Sequence, residues 1–350
     1  MQAIKSSVFA AAVATLLVAC GGGGSDAGKN TEIGTTTPTT PTTPTTPTTP
    51  TTPTTDSTIQ TEVLSATYAA GTEQRNAYNY LNAQRLACGF GVLQQDAKLD
   101  VVAQGHASYL SANHLMSHYQ NQVAYPNGFT GTTLDNRFAA AGYAAVSGAE
   151  VLTEPYPDTF YQSYGSSYGQ SAVMDLFTSP YHGNGMLQGE RDVGVGFGVT
   201  DIYWRRVVIN IGSTESRPRQ KNAVDKILTY PCAGTTGVLS KTYTDEIPAP
   251  IVGRNLISNP IGHPIYVKVR DGNALVLSGY ILRKAGSNVD IPLQLLNKAN
   301  DTNGLITDNS VAILMPLSPL EKNSSYEFTS TGMNSGIAIS VSFTFGTGGY

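Results

Sequence analysis

A run of Thr-Thr-Pro units over residues 35–55, with prolines at 38, 41, 44, 47, 50 and 53, decides where this chain can fold. Proline at every third position favours polyproline II and removes backbone donors, and the threonines between offer no apolar surface to bury. At about 3.1 Å per residue the run reaches on the order of 65 Å. Gly21-Gly22-Gly23-Gly24-Ser25, upstream of it, adds a swivel. A fold must therefore come from about residues 58–350, a length sufficient for two domains.

Before the glycines, an apolar stretch from Val8 to Val18 follows a single basic residue, Lys5, and ends in Leu17-Val18-Ala19-Cys20. A membrane span needs about 20 apolar residues, so this shorter run reads as a secretory segment. Its ending resembles the lipobox of bacterial lipoproteins. That resemblance implies a signal peptide over 1–19, acylation of Cys20, a disordered stalk over 20–57 and a membrane as partner through the lipid. No Asp follows Cys20, and by the same resemblance this implies the outer membrane or cell surface of a bacterium.

The net charge of −4, the few charged residues and the lack of a basic cluster argue against nucleic acid as a partner. With Cys20 assigned to lipid, Cys88 and Cys232 remain. An even pair in an oxidising compartment suggests a disulfide, which would add about 5 kcal/mol by closing so long a loop. Two unrelated buried thiols are the other reading.

The first part reads as helices followed by strands. Glu73–Cys88 places Ala77, Leu81 and Cys88 on one face, with Gly89 as its stop. Asp96–His114 repeats the pattern through Leu99, Val102, Ala103, His106 and Leu110. Shorter helices are expected at Asp135–Ala141 and Val173–Thr178, the latter ended by Ser179-Pro180. Val193, Val195, Phe197 and Val199 then alternate with glycines, and Val207, Ile209 and Ile211 alternate in a second strand. The glycines leave one face of the first strand bare, so another element should pack closely against it.

The order of residues across 73–212 is recognisable. Leu81-Asn82-Ala83-Gln84-Arg85, the helix carrying Tyr109 and Asn113, and His118 come first. Asn136-Arg137, Gly142-Tyr143, Gly148-Ala149-Glu150, Ser179-Pro180-Tyr181-His182 and Val193-Gly194-Val195-Gly196-Phe197 follow. This order resembles the bacterial branch of the CAP superfamily (cysteine-rich secretory, antigen 5 and pathogenesis-related 1 proteins), or SCP domain. The resemblance implies an α-β-α sandwich over 58–215 with a cleft lined by His and Glu, able to bind a divalent cation in some members. His118, Glu150 and His182 match the family's cleft residues. The departures are an Ala inserted before Glu150, Val151 where Asn is usual, and Gly183 where Arg is usual. The family's remaining acidic residue would be Asp175, and its later His has no counterpart near Tyr203-Trp204, so a complete two-His, two-Glu cleft is not expected.

Two imidazoles and a carboxylate suffice to hold a metal such as zinc with one position open, so His118, Glu150 and His182 are candidate metal ligands. The same three could equally form a hydrogen-bonded cleft without metal, or a buried structural pair with His182 capping helix carbonyls. His106, on the apolar face of its helix, reads as a core residue. His114 and His118 are four apart, a chelating spacing on a helix, but no Glu follows His114 as in zinc proteases. Gly165-Ser166-Ser167-Tyr168-Gly169 matches a hydrolase nucleophile elbow, yet the polar, aromatic Thr159–Tyr164 before it is no apolar strand, and a Tyr/Ser/Gly loop is the better reading.

After a connecting segment over 216–249, residues 250–350 carry strand signals throughout. Ile265, Val267 and Val269 alternate up to Asp271-Gly272, a strong hairpin turn, and Leu275 and Leu277 return from it. Ile337, Ile339, Val341, Phe343 and Phe345 alternate strictly. About seven short strands in 100 residues argue for a β-sandwich. Pro319–Tyr326 and Phe343–Gly348 resemble bacterial Ig-like surface modules. The chain thus reads as α+β, a CAP-type sandwich followed by an all-β Ig-like sandwich. Its favoured function is a surface- or periplasm-facing protein that binds a small ligand, glycan or lipid in the His/Glu cleft. The alternative is a hydrolase using the same cleft on a cell-wall or extracellular substrate.

Overall fold

The computed structural model describes residues 58–154, 167–200 and 205–350. The segment read as secretory, Cys20, the stretch read as a stalk, Gly165-Ser166 and Tyr203-Trp204 lie outside them. Within them the chain is mixed α+β with a β-rich C-terminal part, and no helix is long and apolar enough to cross a membrane.

Local signals set the helix ends. Helix α1 (Glu73–Ala87) begins at Thr72, whose side chain accepts from the Arg75 N–H, and ends at Gly89 with φ of 78°. Helix α2 (Ala97–Ala112) begins at Asp96, which accepts from Lys98 and Leu99. Thr133 and Asn136 cap each other reciprocally at the start of α3 (Leu134–Ala140). Helix α4 (Tyr168–Thr178) starts before Val173, capped by Ser167. Helix α5 (Pro180–Met186) follows directly. Pro180, which reads as a stop, instead occupies a first-turn position where its missing N–H costs no intrahelical bond.

Strands β1 (Gln94–Gln95), β2 (Ala145–Thr153), β3 (Asp192–Val199) and β4 (Arg205–Thr214) form a sheet in the order β1-β3-β4-β2. β1 runs parallel to β3, and the other neighbours are antiparallel. The bare face of β3 lies against α2. A Cβ on Gly194, Gly196 or Gly198 would come within 2.1, 2.2 and 2.1 Å of the backbone at Leu99, Ala103 and Ala107. Those helix residues step by about 6 Å, close to the roughly 6.6 Å between alternate strand residues, so the two elements stay in register. On the opposite face Val193, Val195, Ile209 and Ile211 share a core with Leu81 of α1 and Phe177 of α4. Helices therefore cover both faces.

The β-rich part contains β5 (Leu228–Tyr230), β6 (Ile265–Lys268), β7 (Leu275–Lys284), β8 (Leu293–Asn297), β9 (Val311–Pro316), β10 (Ser325–Asn334) and β11 (Ile337–Gly346). They build two sheets, β5-β6-β9-β8 and β11-β10-β7, with Val267, Leu282, Leu314, Phe328 and Phe343 in the core they share. Strand β5 falls within the stretch read as a connector and pairs with β6. The Asp271-Gly272 hairpin needs correction. The turn itself forms, with the Asn273 N–H donating to the Arg270 carbonyl and Gly272 at φ of 89°. The flanking strands, however, belong to opposite sheets. Lys268 and Arg219 hold the Asp271 carboxylate at 2.7 Å each, while Val269 and Leu275 both enter the core between the layers. The turn is thus a corner between sheets.

The outer face of sheet β5-β6-β9-β8 is covered. Tyr230, Tyr266, Ile313 and Met315 join the same core as Leu176 and Phe177. Tyr230 stacks on Phe177 with centroids 4.1 Å apart. The Tyr266 hydroxyl reaches the carbonyls of Phe177 (2.9 Å) and Ser179 (3.2 Å). A Cβ on Gly183 would lie 2.0 Å from that hydroxyl, a physical reason for glycine where the resemblance expects arginine. A Cys88–Cys232 disulfide ties the end of α1 to the residues after β5. Gly196→Ala is expected to destabilise the protein by about 3 kcal/mol or more through overpacking against α2, read from its urea midpoint. An unchanged midpoint would refute the close contact.

Candidate functional site

Glu150 sits on β2 with its side chain turned toward α2 and α3, 2% exposed. Arg137 of α3, fully buried, places one guanidinium nitrogen 2.8 Å from each Glu150 oxygen. The same guanidinium reaches the carbonyls of His118 and Gly131, so one cation fixes both the carboxylate and the backbone that carries His118. The His118 ring meets Glu150 through Nδ1 at 3.1 Å. Burial on its own would raise the Glu150 carboxyl, but the His118 hydrogen bond and the charges of its neighbours outweigh it and hold the group below the usual carboxylate range.

His182 lies in the first turn of α5, with Nδ1 3.0 Å from Glu246. Glu246 belongs to the stretch read as a connector. Its carboxylate also accepts the backbone N–H groups of Tyr181 (3.0 Å) and His182 (2.9 Å). Helix α5 has no side-chain cap of its own at Ser179, so Glu246 satisfies its exposed donors from 64 residues away. The second carboxylate beside the histidines is thus Glu246, from outside the residues that carry the resemblance, and not Asp175. His182 makes no carbonyl cap, because its ring is turned to Glu246.

The two imidazoles lie side by side in the lining of a cleft of about 790 Å³, stacked with ring centroids 5.7 Å apart. Each is pinned at Nδ1 by a buried carboxylate, which leaves Nε2 as the nitrogen free to accept from a ligand or a water molecule. The far wall comes from the sandwich, through Leu305, Thr307, Asp308 and Val311. The Ser147 hydroxyl in the cleft donates to Glu190 (2.8 Å), not to an imidazole.

The other candidates resolve as follows. His118, Glu150 and His182 do come together, but among the described residues no group of three His, Cys, Asp or Glu side chains is arranged to hold a metal ion. Both Glu150 oxygens face Arg137, so the residues do not fit the three-ligand site that the resemblance allows. His106 is a core residue: its Nδ1 accepts from Gln120 and its Nε2–H reaches the Ser117 carbonyl at 2.9 Å. His114 stands beyond the end of α2 with φ of 54°, so it shares no helix face with His118. Asp175 is buried in α4 and does not line the cleft. Ser167, centre of the elbow-like motif, accepts from the Gln170 N–H as a helix cap. Sequence reasoning singled out neither Arg137 nor Glu246 as a site residue. Arg137 carried a signal in the Asn136-Arg137 pair, whereas Glu246 carried none.

No family model and no curated protein match this chain. Among solved structures it is similar to an extracellular protein containing an SCP domain from Bacillus anthracis, with 19% identity and a TM-score of 0.29. That match covers 40% of this chain and 40% of the Bacillus protein's length. It is also similar to an outer surface protein of Borrelia burgdorferi, with 16% identity and a TM-score of 0.33 over 42% of this chain and 97% of that one. Both scores lie below 0.5, and neither likeness carries an argument about function.

The buried histidines make stability depend on pH. Burial, only partly offset by Glu150, lowers His106 to about 4, and burial lowers His263 to about 3. Unfolded histidine titrates near 6.5, so from there down to about 4 the unfolded chain binds more protons and stability falls with pH. His106 contributes on the order of 3 kcal/mol to that loss, at 1.36 kcal/mol per unit. Urea midpoints are expected to be flat above about pH 7 and to drop toward pH 4. His106→Gln should flatten part of the slope, and an unaltered slope would mean His106 does not titrate as its burial requires.

Proposed function

We propose that this protein is a surface-facing binding protein of CAP type, carried on a lipid anchor at Cys20 and the Thr-Pro stalk. On this reading the helix-covered sheet is the CAP α-β-α sandwich, and the β-rich part is an Ig-like module. Supporting the first half is the ordered run of motifs from Leu81 to Phe197. Supporting the second is strand order: lettered along the chain, the two sheets read ABED and GFC, the order of constant-type immunoglobulin domains. Tyr326, at the start of the sixth strand, accepts from the Glu321 N–H at 2.6 Å, as the tyrosine corner of such domains does.

The observation that carries the binding function is the pair of His–carboxylate dyads whose imidazoles stack side by side in the lining of an open cleft. Pinned imidazoles offer fixed polar anchors to a ligand, set in walls of mixed polarity, which is the usual composition of a binding pocket. Hydrolysis is the second reading, favoured by Nε2 positions suited to activating water. It lacks a nucleophile bonded to either ring among the described residues, so the binding function is the better supported.

The test is thermal denaturation of the full chain with lipid, glycan, peptide and divalent-cation panels, beside His118→Ala and His182→Ala. A true ligand at 100 times its Kd stabilises by about 2.7 kcal/mol, an upward Tm shift that both variants should lose while remaining folded. Zinc and other divalent cations are expected to give no shift that the variants abolish. If no class of compound shifts the wild type, the binding function fails.

A further inference from the structure

The floor of the cleft is the edge of the sheet, not a face. Ser147, Gly148, Ala149, Glu150 and Val151 all line it in unbroken sequence. Alternate strand residues point to opposite faces, so five consecutive ones border a single cavity through their backbone. Exposure agrees. The Glu150 side chain is 2% exposed while the residue as a whole is only half-buried, and Gly148 is exposed. Strand β2 ends its sheet, with β4 as its pairing strand. Among the described residues, no backbone hydrogen bond from 147–151 runs anywhere but to β4. Every second residue of such an edge aims its N–H and C=O outward, a template for another strand.

Charge and polarity narrow the occupant. Asp135, Glu150, Glu190, Glu246 and Asp308 line the cleft. Arg219 pairs with Glu190 at 3.1 Å and Arg137 with Glu150, which leaves Asp135, Glu246 and Asp308 without a Lys or Arg partner among the described residues. Tyr119, Ile247 and Leu305 also line it, yet are 66%, 85% and 47% exposed, leaving apolar surface for a partner to cover. We propose that the cleft takes an extended peptide bearing basic side chains, which adds to β2 as a fifth strand. The inference rests on the cleft being a binding site, as argued above. Five lining residues offer roughly 16 Å of edge, room for about five peptide residues. Main-chain bonds to β2 supply affinity, and alternate side chains meet the carboxylates or the apolar rim.

The experiment is amide exchange and chemical-shift mapping by NMR on the full chain, with a seven-residue peptide of alternating threonine and lysine at millimolar concentration. At least tenfold slower exchange is expected at alternate amides within 147–151, together with shifts of the His118 and His182 rings. The same peptide N-methylated at two adjacent central residues, which blocks both of its edges, should lose both effects. Replacing its lysines by glutamates should weaken binding at least tenfold, and equal binding would overturn the basic preference. Ring shifts that survive N-methylation without slowed exchange in β2 would overturn strand addition while leaving the cleft a binding site. No response to any peptide at this concentration would also overturn it, because main-chain pairing tolerates sequence. The lipid and glycan arms of the denaturation panel then report separately on whether the cleft binds at all.

Discussion

The contact on which the site depends is the Tyr266 hydroxyl at the end of α4, where it meets the carbonyls of Phe177 and Ser179. Carbonyls at a helix C-terminus need partners, and burial here removes water as the alternative. Tyr266 supplies one from the sandwich while its ring and that of Tyr230 fill the space against Phe177. With the sandwich seated there, the segment before it brings Glu246 to the start of α5. Glu246 then orients His182, and His182 comes to face His118. Each link is local chemistry, but the series runs through residues more than 60 positions apart in sequence.

The two dyads are electrically unequal. Behind Glu150 stands Arg137, bonded to both carboxylate oxygens, so the His118 half of the cleft carries little net charge. Behind Glu246 stand backbone N–H groups, which disperse its charge without cancelling it. A buried ion pair is weak evidence for stability, since desolvation offsets much of its attraction. Its effect here is geometric. Arg137 reaches both Glu150 and the His118 carbonyl, and so fixes the ring's carboxylate partner and its backbone together.

Much of the first part is legible because its signals are local. Apolar spacing from Glu73 and from Asp96 marks two helices, Gly89 marks an end, and the glycines of β3 announce the close approach of another element. The alternation of β4 and β11 reads directly as strand. What stays hidden depends on pairing at a distance. Strand β2 is obscured because Ser147-Gly148-Ala149-Glu150 interrupts apolar alternation, and an edge strand bordering a cleft has no need of it. The Asp271-Gly272 turn is legible as a turn, but whether its strands pair or part is set by their distant partners, β9 for β6 and β10 for β7. His118, Glu150 and His182 could be found by resemblance to a family. Glu246 could not, because nothing near it in sequence marks a carboxylate that serves a helix 64 residues away.

The sandwich takes part in the cleft as well as in its own core. Its outer sheet gives Tyr266, Ile313 and Met315 to a core that also holds Leu176 and Phe177, and its loops form one wall of the cleft. A spacer would keep a polar surface toward its neighbour, so that each part could fold and move alone. Here separation would expose aromatic surface on both parts, remove the bonds Tyr266 makes to α4, and leave His182 without its carboxylate. The disulfide joins these same two parts, which limits how far they can separate in the unfolded chain. A cleft whose second carboxylate and far wall both come from outside the helix-covered sheet forms only when the two parts fold against each other.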